Sequence, residues 1–242
     1  MNMERTQGKR KRLVVLTGAG MSAESGIMTF RDENGRWRQN DWRELACADA
    51  FARNHAQVLD FYNDRRSQLA QVSPNKGHLL LAELEKDYDV YVITQNVDDL
   101  HERAGSSNVL HLHGDLTEVT SSEDPQNPSY VKKYPLETPI LVDDKASDGS
   151  ALRPNVVWFG EPVSNIVEAS RIIEKADVFV VIGTSLKVRP AADLLMYCPF
   201  TSPFYVIDPK PAELRLPYKM TYIREPATVG VESLIALLAD ET

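Results

Sequence analysis

The stretch that decides the fold is Gly18-Ala19-Gly20-Met21-Ser22-Ala23-Glu24-Ser25-Gly26-Ile27, which follows a short apolar run at 13–16. Glycines placed directly after a strand let the backbone approach a ligand closely, and unpaired N–H groups at a helix start favour negative charge. The spacing of Gly18, Gly20 and Ala23 fits the Gly-x-Gly-x-x-Gly/Ala pattern of dinucleotide-binding folds. The stretch therefore predicts a pyrophosphate-binding turn, although the pattern alone does not say which reaction it serves.

Short apolar segments alternate with helical patterns along the rest of the chain. We expect strands at 13–17, 89–94, 108–112, 177–182 and 203–207. The helical patterns lie at 48–71, 75–86, 99–104, 163–175 and 229–239. Strands that alternate with helices predict an α/β fold with a Rossmann-like, doubly wound parallel sheet.

Two segments interrupt this alternation. Residues 31–72 indicate a loop and then a helix where a dinucleotide fold usually places its second strand, and 118–151 contain four prolines with little periodicity. We expect both insertions to form a smaller lobe within one catalytic domain over 1–242, with the ligand in the cleft between the lobes. The expected bounds are approximately 1–37, 73–117 and 152–242 for the Rossmann-like lobe, and 38–72 and 118–151 for the small lobe.

The charge and hydropathy exclude several classes of partner. The 242 residues carry a net charge of −8, whereas nucleic-acid-binding proteins usually present a basic face, so no nucleic-acid partner is expected. The basic run at 9–12 is interpreted as a solvated strand flank in preference to a localisation signal or an anion patch. No apolar run approaches the ~18 residues that cross a bilayer, which argues against a membrane partner.

The chain contains two cysteines, Cys47 and Cys198. Neither belongs to a Cys-x-x-Cys pair, so the sequence contains no cysteine metal knuckle. Each cysteine is most simply a small hydrophobic residue, and we expect a reducing, cytoplasmic environment.

Polar residues follow two of the expected strands. The sequence Thr94-Gln95-Asn96-Val97-Asp98 ends one strand, and Gly183-Thr184-Ser185 ends another. Ligands bind at the carboxyl ends of strands in open α/β sheets, where such side chains can hold ribose hydroxyls, phosphate or a carboxamide. Asn96 and Asp98 could equally cap the helix that follows them.

Two histidines follow the expected strand at 108–112, in the sequence His111-Leu112-His113-Gly114. Strand alternation would put both side chains on the same face, and a histidine with a pKa near neutrality is a natural general base. A single histidine at a strand end is more often a structural hydrogen-bonding group. The pair also suggests a metal site, but no third ligand with suitable spacing stands nearby.

A further apolar stretch runs over 155–161 and ends in Gly160-Glu161. A strand with a free edge can pair with an extended peptide. The alternative is core packing around Trp158 and Phe159.

Taken together and in this order, the motifs resemble the motif set of the sirtuins, which are NAD-dependent protein-lysine deacylases. The resemblance covers about 12–239 and includes Phe30-Arg31 and the segment from Val157 to Glu161. It implies that His113 is the general base, that Asn96 and Asp98 are also catalytic, and that Phe30 shields the reaction centre from water.

The resemblance also implies a binding role for many positions. Asp208 stands where the family usually has Asn. The residues implied to bind NAD are Gly18, Ala19, Gly20, Ser22, Ala23, Glu24, Ile27, Phe30, Arg31, Trp37, Gln95, Asn96, Val97, Asp98, Gly183, Thr184, Ser185, Asp208, Pro209, Lys210 and Ala227. Those implied to bind the acyl-lysine substrate, a protein or peptide, are Tyr62, Arg65, Val157, Phe159, Gly160 and Glu161.

The family chemistry implies that NAD is consumed as a co-substrate. The acyl oxygen attacks C1′ of the nicotinamide ribose and nicotinamide leaves, which is mainly an orientation effect. His113 then takes a proton from a ribose hydroxyl, and that oxygen attacks the imidate carbon. Water finally releases free lysine and acyl-ADP-ribose.

The chain departs from the family in its small lobe. Most sirtuins carry two Cys-x-x-Cys pairs there for a structural zinc, whereas 114–154 of this chain contain no cysteine. Thiolates are the usual ligands of such a closed site. We therefore expect no zinc and no other metal, and a lobe held together by packing and prolines.

A second feature lies in the expected helix at 48–71. Tyr62 and Arg65 are three residues apart, so they share a helical face on which a phenol and a guanidinium can bind a carboxylate. A surface arginine paired with a local acid is the alternative from spacing alone. The pattern Tyr-x-x-Arg resembles the sirtuin subgroup that removes succinyl and malonyl groups, which implies a preference for acidic acyl groups over acetyl.

Two other functions stay open at this point. Mono-ADP-ribosyl transfer to a protein could use the same C1′ chemistry, but it would not need the later deprotonation by His113. A non-enzymatic NAD- or ADP-ribose-sensing module would tolerate the loss of His113 or Asn96, and the chain has both.

Overall fold

The computed structural model describes residues 10–28, 41–211 and 219–240. Its strands are β1 Arg12–Thr17, β2 Asp89–Thr94, β3 Val109–His111, β4 Gly114–Ser121, β5 Lys132–Lys133, β6 Leu152–Val156, β7 Val178–Ile182, β8 Phe204–Ile207 and β9 Met220–Ile223. Its α-helices are α1 Trp42–Leu45, α2 Ala48–Arg53, α3 His55–Gln71, α4 Lys76–Glu83, α5 Leu100–Ala104, α6 Ile166–Ile173 and α7 Ala227–Asp240. Short 3-10 helices form at Ala19–Met21, Ala23–Ser25, Leu84–Lys86 and Ala191–Tyr197.

Six strands form a parallel sheet in the order β3-β2-β1-β7-β8-β9. β1 pairs with β2 on one side and with β7 on the other, so the direction of winding reverses at β1. In such sheets the reversal opens a crevice at the carboxyl ends of the two central strands. This sheet confirms the α/β, Rossmann-like, doubly wound fold and places the crevice directly after residues 17 and 182.

Both faces of this sheet are covered, which explains why its central strands are continuously apolar. In β1, Leu13 and Val15 pack into a core formed with α4 and α7. Val14 and Leu16 point the other way and pack against α6 and the 3-10 helix Ala191–Tyr197. All four side chains are fully buried.

A second, antiparallel sheet has the order β5-β4-β6. Side chains from β4 and β6 pack against α2 and α3, where Phe51, Leu59, Val119 and Trp158 share a third core. β6 begins at Leu152 and pairs with β4, so the chain after 152 first completes this small sheet and only then enters α6 and the large one. The lobe boundaries proposed from the sequence stay a prediction.

The small sheet is tied to α3 by polar side chains. Arg66 is fully buried, and its guanidinium donates to the carbonyl oxygens of Leu116, Tyr134 (3.2 Å) and Pro135 (2.6 Å). One turn earlier, Asn63 exchanges two 2.9 Å hydrogen bonds with the backbone of Ile140. These contacts connect the helix to both the sheet and the irregular segment that follows β5.

Hydroxyl and carboxylate groups link the two loops at the far end of this sheet. Ser121 Oγ donates to Asp148 Oδ2 at 2.6 Å and lies 2.9 Å from Ser150 Oγ. Within the ranges that the structure describes, no three His, Cys, Asp or Glu side chains come together as a metal site. The same ranges contain no helix that is long and apolar enough to cross a membrane.

The sequence prediction was wrong about one helix and did not include four strands. The helix expected at 48–71 is broken at Asn54, whose φ of −144° and ψ of 63° are not helical, so α2 and α3 are separate. The strands that were not predicted are β4, β5, β6 and β9, which are short or rich in polar residues.

Candidate active site

A cavity of 760 Å³ opens at the carboxyl edge of the large sheet. The turns after β1, β2 and β7 contribute to its lining, and so do α3 and the segment after β6. The cavity therefore lies where the strand order predicts a ligand crevice.

The glycine turns after β1 and β7 pack backbone against backbone. Gly18 N–H donates to the Ile182 carbonyl at 3.0 Å, and Gly20 N–H donates to the Gly183 carbonyl at 2.8 Å. Gly183 has a φ of +60°, and a Cβ at that position would lie 2.5 Å from the backbone of Gly20 and Met21. Both turns thus require glycine in order to form one continuous floor.

The segment after β2 is fixed to both turns. Asn96 is 5% exposed, and its Nδ2 donates at 3.1 Å to the Gly18 carbonyl and at 3.1 Å to Ser22 Oγ. Gln95 Nε2 donates to Thr184 Oγ1 at 3.0 Å, which connects this segment to the turn after β7. Three separate strand ends are therefore held in one arrangement.

Asp98 lies behind this wall and does not line the cavity. Its carboxylate accepts from Ser22 Oγ at 2.9 Å and from the Leu100 N–H at 3.3 Å, so it also caps α5 as the local alternative predicted. Burial raises the pKa of Asp98 to about 6, although both hydrogen bonds lower it.

His113 lines the cavity. Its Nδ1 lies 2.9 Å from the Gln95 carbonyl oxygen. A carbonyl only accepts, so Nδ1 carries the hydrogen and Nε2 is left with a free electron pair. Burial lowers the pKa of His113, so the imidazole is neutral at pH 7 and can act as a base.

His111 makes different contacts from His113. β3 ends at His111, so His113 lies just beyond the strand. His111 Nε2 lies 2.8 Å from Glu102 Oε1, and Nδ1 lies 3.1 Å from the Asn96 carbonyl. Although burial lowers the pKa of His111, the hydrogen bond and charge of Glu102 raise it to about 9.

A buried polar layer beneath the floor was not anticipated from the sequence. Thr17 Oγ1 donates to Thr94 Oγ1 at 2.9 Å and lies 3.1 Å from His101 Nε2. The rings of His101 and His78 meet edge to face at 4.8 Å, and burial lowers the pKa of both. No pattern marks these residues, because their partners lie far apart in sequence.

Tyr62 and Arg65 of α3 also line the cavity. Tyr62 is 5% exposed, and its hydroxyl accepts from Trp158 Nε1 at 2.9 Å. Among the described residues, none accepts a hydrogen bond from the buried Nε of Arg65 and no carboxylate forms an ion pair with it. The neighbouring Asp64 is exposed, so the local-acid alternative has no support in this part of the chain.

The segment after β6 forms the remaining wall. Val157 N–H donates to the His113 carbonyl at 2.9 Å, and Phe159 N–H donates to the Ala46 carbonyl at 2.8 Å. The Glu161 carboxylate accepts from Arg153 at 2.6 and 3.1 Å and from the Trp158 N–H at 2.7 Å. Glu161 therefore lines the cavity, but its carboxylate is already bound to Arg153 and to the Trp158 backbone.

The predicted residues divide into three groups by location. Those that line the cavity are Gly18, Ala19, Gly20, Ala23, Glu24, Tyr62, Arg65, Gln95, Asn96, Val97, His113, Val157, Phe159, Gly160, Glu161, Gly183, Thr184, Ser185, Asp208, Pro209 and Lys210. Ser22, Ile27, Asp98 and Ala227 are not part of its lining. Phe30, Arg31 and Trp37 lie outside the described residues.

Comparison with known proteins places this geometry in a family. The family model described as "Sir2 family" matches residues 18–190. The chain belongs to the Sir2 family.

The Sir2-family match extends over almost the whole length of close relatives. The chain is 56% identical to the NAD-dependent protein deacylase of Bacteroides thetaiotaomicron, over 94% of this chain and 98% of that protein. Among solved structures, a Sir2 homologue mutant in complex with ADP-ribose has a TM-score of 0.84 at 38% identity, covering 96% of this chain and 93% of the other. A complex of a Sir2 homologue with NAD has a TM-score of 0.82 at 39% identity, covering 96% and 91%.

In this Sir2-family protein, sequence motifs located the polar floor of the cavity and part of its walls, but they missed most of the apolar lining. The lining residues that were not predicted are Ala46, Phe61, Leu116, Val156, Trp158, Pro162, Val163, Val188, Arg189, Pro190 and Pro226. Most are ordinary apolar residues, and only the tertiary fold distinguishes them from core positions.

Proposed function

We propose that this chain is an NAD-dependent protein-lysine deacylase that prefers succinyl- and malonyl-lysine and removes acetyl groups more slowly. The deacylase activity is supported by membership of the Sir2 family and by the name of its 56% identical relative. The acyl preference is carried by one observation. The Arg65 side chain lines the same cavity as His113, and no described carboxylate neutralises it.

The floor of the cavity fits NAD. Gly18 and Gly20 leave the pyrophosphate a wall without side chains, and a Cβ at either position would overlap the turn after β7 at 2.6 to 2.7 Å. Thr184, Ser185 and the segment Asp208 to Lys210 supply polar groups farther along the same wall. We propose that they hold the adenosine half and that Gln95 and Asn96 hold the nicotinamide half, with Asp98 supporting them from behind.

Bound NAD supplies an electrophilic ribose carbon, C1′, for the acyl oxygen of the substrate. This chain's own residues then orient the reactants and move one proton. His113 Nε2 accepts that proton from a ribose hydroxyl, since Nδ1 is committed to the Gln95 carbonyl. The same Nδ1 hydrogen bond stabilises the imidazolium that forms, because both ring nitrogens then donate.

Asn96 acts by holding the reacting ribose against the turn after β1. Its amide is already fixed by Gly18 and Ser22, so it loses little rotamer freedom when the substrate binds. The buried Asp98 accepts a hydrogen bond from Ser22, and it is proposed to act on the nicotinamide half through Ser22 and Asn96, since its own carboxylate does not line the cavity.

The acyl group is proposed to occupy the side of the cavity next to α3. A guanidinium can form two parallel hydrogen bonds with a terminal carboxylate, and the hydroxyl of Tyr62 can donate a third. An acetyl group leaves Arg65 partly desolvated and unpaired. Such a loss costs about 1–3 kcal/mol, or roughly fivefold to 150-fold in kcat/KM.

The proposal extends to the stability of the small lobe, the cellular location and the partners of this protein. The small lobe is stabilised by the contacts of Arg66, Asn63 and the group Ser121, Asp148 and Ser150 instead of a structural zinc. The enzyme works in the cytoplasm on acyl-lysine in proteins or peptides. Nucleic acid and membranes are not partners.

A panel of one peptide carrying succinyl-, malonyl-, glutaryl- or acetyl-lysine tests the acyl preference. With NAD and the purified enzyme, mass spectrometry should detect the free lysine peptide and the matching acyl-ADP-ribose, fastest for the acidic acyl groups. Equal rates for the acetyl and succinyl peptides would contradict the preference.

Nicotinamide release separates deacylation from ADP-ribosyl transfer. The proposal predicts release only when an acyl-lysine peptide is present. Release with an unmodified protein acceptor, together with a mass increase of that acceptor, would favour mono-ADP-ribosyl transfer instead.

A further inference from the structure

We infer that Trp158 is a specificity-determining positioning residue, which directs the hydroxyl hydrogen of Tyr62 toward the carboxylate of an acidic acyl group. The inference rests on the proposed function, since it concerns how that function discriminates between acyl groups.

The indole and the phenol form a direct hydrogen bond in the wall of the cavity. Trp158 Nε1 donates to the Tyr62 hydroxyl oxygen at 2.9 Å, and the ring centroids are 6.1 Å apart. An indole N–H can only donate, so the phenol must use an oxygen lone pair for this contact. The hydroxyl hydrogen of Tyr62 therefore stays available for an acceptor other than Trp158.

Trp158 is itself held on two sides. It is 2% exposed, and the guanidinium carbon of Arg153 lies 3.4 Å from the centre of its ring. The Glu161 carboxylate accepts from Arg153 and also from the Trp158 backbone N–H, at 2.7 Å. Ring and backbone are thus fixed by one ion pair, and the direction of the indole N–H is fixed with them.

This arrangement presents Tyr62 to the acyl group as a donor, while its oxygen accepts from Trp158. Because the indole occupies one lone pair of the phenol oxygen, the hydroxyl is pre-oriented and polarised as a donor. Burial also raises the pKa of Tyr62, so the hydroxyl keeps its hydrogen at any physiological pH. A terminal carboxylate accepts such a hydrogen, whereas the methyl group of an acetyl cannot.

Trp158→Phe tests the inference because it keeps an aromatic ring but removes the N–H. We expect KM for a succinyl-lysine peptide to rise about fivefold to tenfold, which is the effect of one net hydrogen bond, with kcat and the acetyl-peptide kinetics within about twofold of wild type. Tyr62→Phe should give a similar rise, and the double variant should be no worse than Tyr62→Phe alone.

A purely structural role for Trp158 would give a different pattern. Equal losses for succinyl and acetyl peptides, or additive losses in the double variant, would overturn the inference. If Trp158→Phe does not fold, benzothienylalanine at position 158 replaces the N–H by sulfur within the same bicyclic outline, and the same KM pattern is expected. Unchanged succinyl KM in that variant would equally contradict the inference.

The kinetic results distinguish a failure of the role inferred for Trp158 from a failure of the proposed function. If wild type discriminates between succinyl and acetyl peptides and Arg65→Met abolishes that discrimination while Trp158→Phe leaves it intact, only the role of Trp158 fails. If wild type does not discriminate, the acyl preference fails and this inference fails with it.

Discussion

The Nδ1 nitrogen of His113 lies 2.9 Å from the carbonyl oxygen of Gln95. This contact fixes the tautomer and leaves Nε2 as the base in the cavity. Because burial lowers the pKa of His113 from its ordinary 6.5, the active, neutral form persists into mildly acidic solution.

We expect kcat/KM to be independent of pH around neutrality and to fall only below about pH 6.5. Protonation of Asp98, whose pKa burial raises to about 6, adds to the same acid limb. The measurement is a pH profile of kcat/KM for a succinyl peptide. A limb centred above pH 7 would contradict the assignment of His113 as a neutral buried base.

The pair His111 and Glu102 should make stability depend on pH. Glu102 raises the pKa of His111 to about 9 in the folded protein, against 6.5 for an ordinary histidine. A raised folded pKa gives stability that is complete below about pH 6.5 and is lost as pH rises through about 9. Glu102 is partly exposed, so we expect a screened contribution on the order of 2 kcal/mol.

Denaturant unfolding of wild type and Glu102→Gln checks this linkage. The difference in unfolding free energy should be largest near pH 6 and shrink toward pH 10, since His111 is neutral there in both proteins. Lys86→Gln, which removes an exposed ion pair with Glu83, serves as the control. A difference that grows with rising pH would contradict the sign.

The contact between the two glycine turns predicts a steric cost at Gly183. Gly183→Ala places a Cβ 2.5 Å from the backbone of Gly20, whereas Gly149→Ala has the same problem of positive φ with nothing within 4 Å. We expect about 1 kcal/mol of destabilisation for Gly149→Ala and at least about 3 kcal/mol for Gly183→Ala. Thermal unfolding of the two variants measures the difference, and equal losses would show that the turns do not pack as described.

The small lobe should be stable without zinc and should depend on Arg66. Arg66 is fully buried and donates to three carbonyl groups, so Arg66→Met leaves those acceptors unpaired and should cost about 3 kcal/mol or more. Arg53→Met, at an exposed ion pair with Glu44, should cost less than about 1 kcal/mol.

Elemental analysis of the purified protein tests the prediction that the small lobe is stable without zinc. Substoichiometric zinc, together with unchanged thermal unfolding in a chelator, is the expected result. A full equivalent of zinc, or unfolding in the chelator, would contradict a lobe held by hydrogen bonds.

The strands buried on both faces could be predicted from the sequence because their interior positions form continuous apolar runs. β1, β2, β7 and β8 all agree with the segments expected from composition. β4 and β6 could not be predicted in this way. They pair across about thirty intervening residues, and β6 contains Pro154. Their pairing is decided by α3 and by the third core, neither of which is local in sequence.

The candidate site divides in the same way. The turns bearing Gly18, Asn96 and Gly183 were predicted, because glycines and amides at strand ends are visible in the chain. The buried support was not predicted, since Trp158 reaches Tyr62 within the wall of the cavity and His101 reaches Thr17 beneath its floor. These contacts join residues that no spacing rule connects.

The most direct test of the account is the ratio of kcat/KM for succinyl- and acetyl-lysine versions of one peptide, measured for wild type, Arg65→Lys and Arg65→Met. We expect a wild-type ratio well above one and a reduced ratio in Arg65→Lys, because the paired hydrogen bonds are lost. Arg65→Met should lower desuccinylation about a hundredfold with little change in deacetylation. Equal loss of both activities in Arg65→Met, or a ratio that does not change, would contradict the claim that Arg65 selects acidic acyl groups.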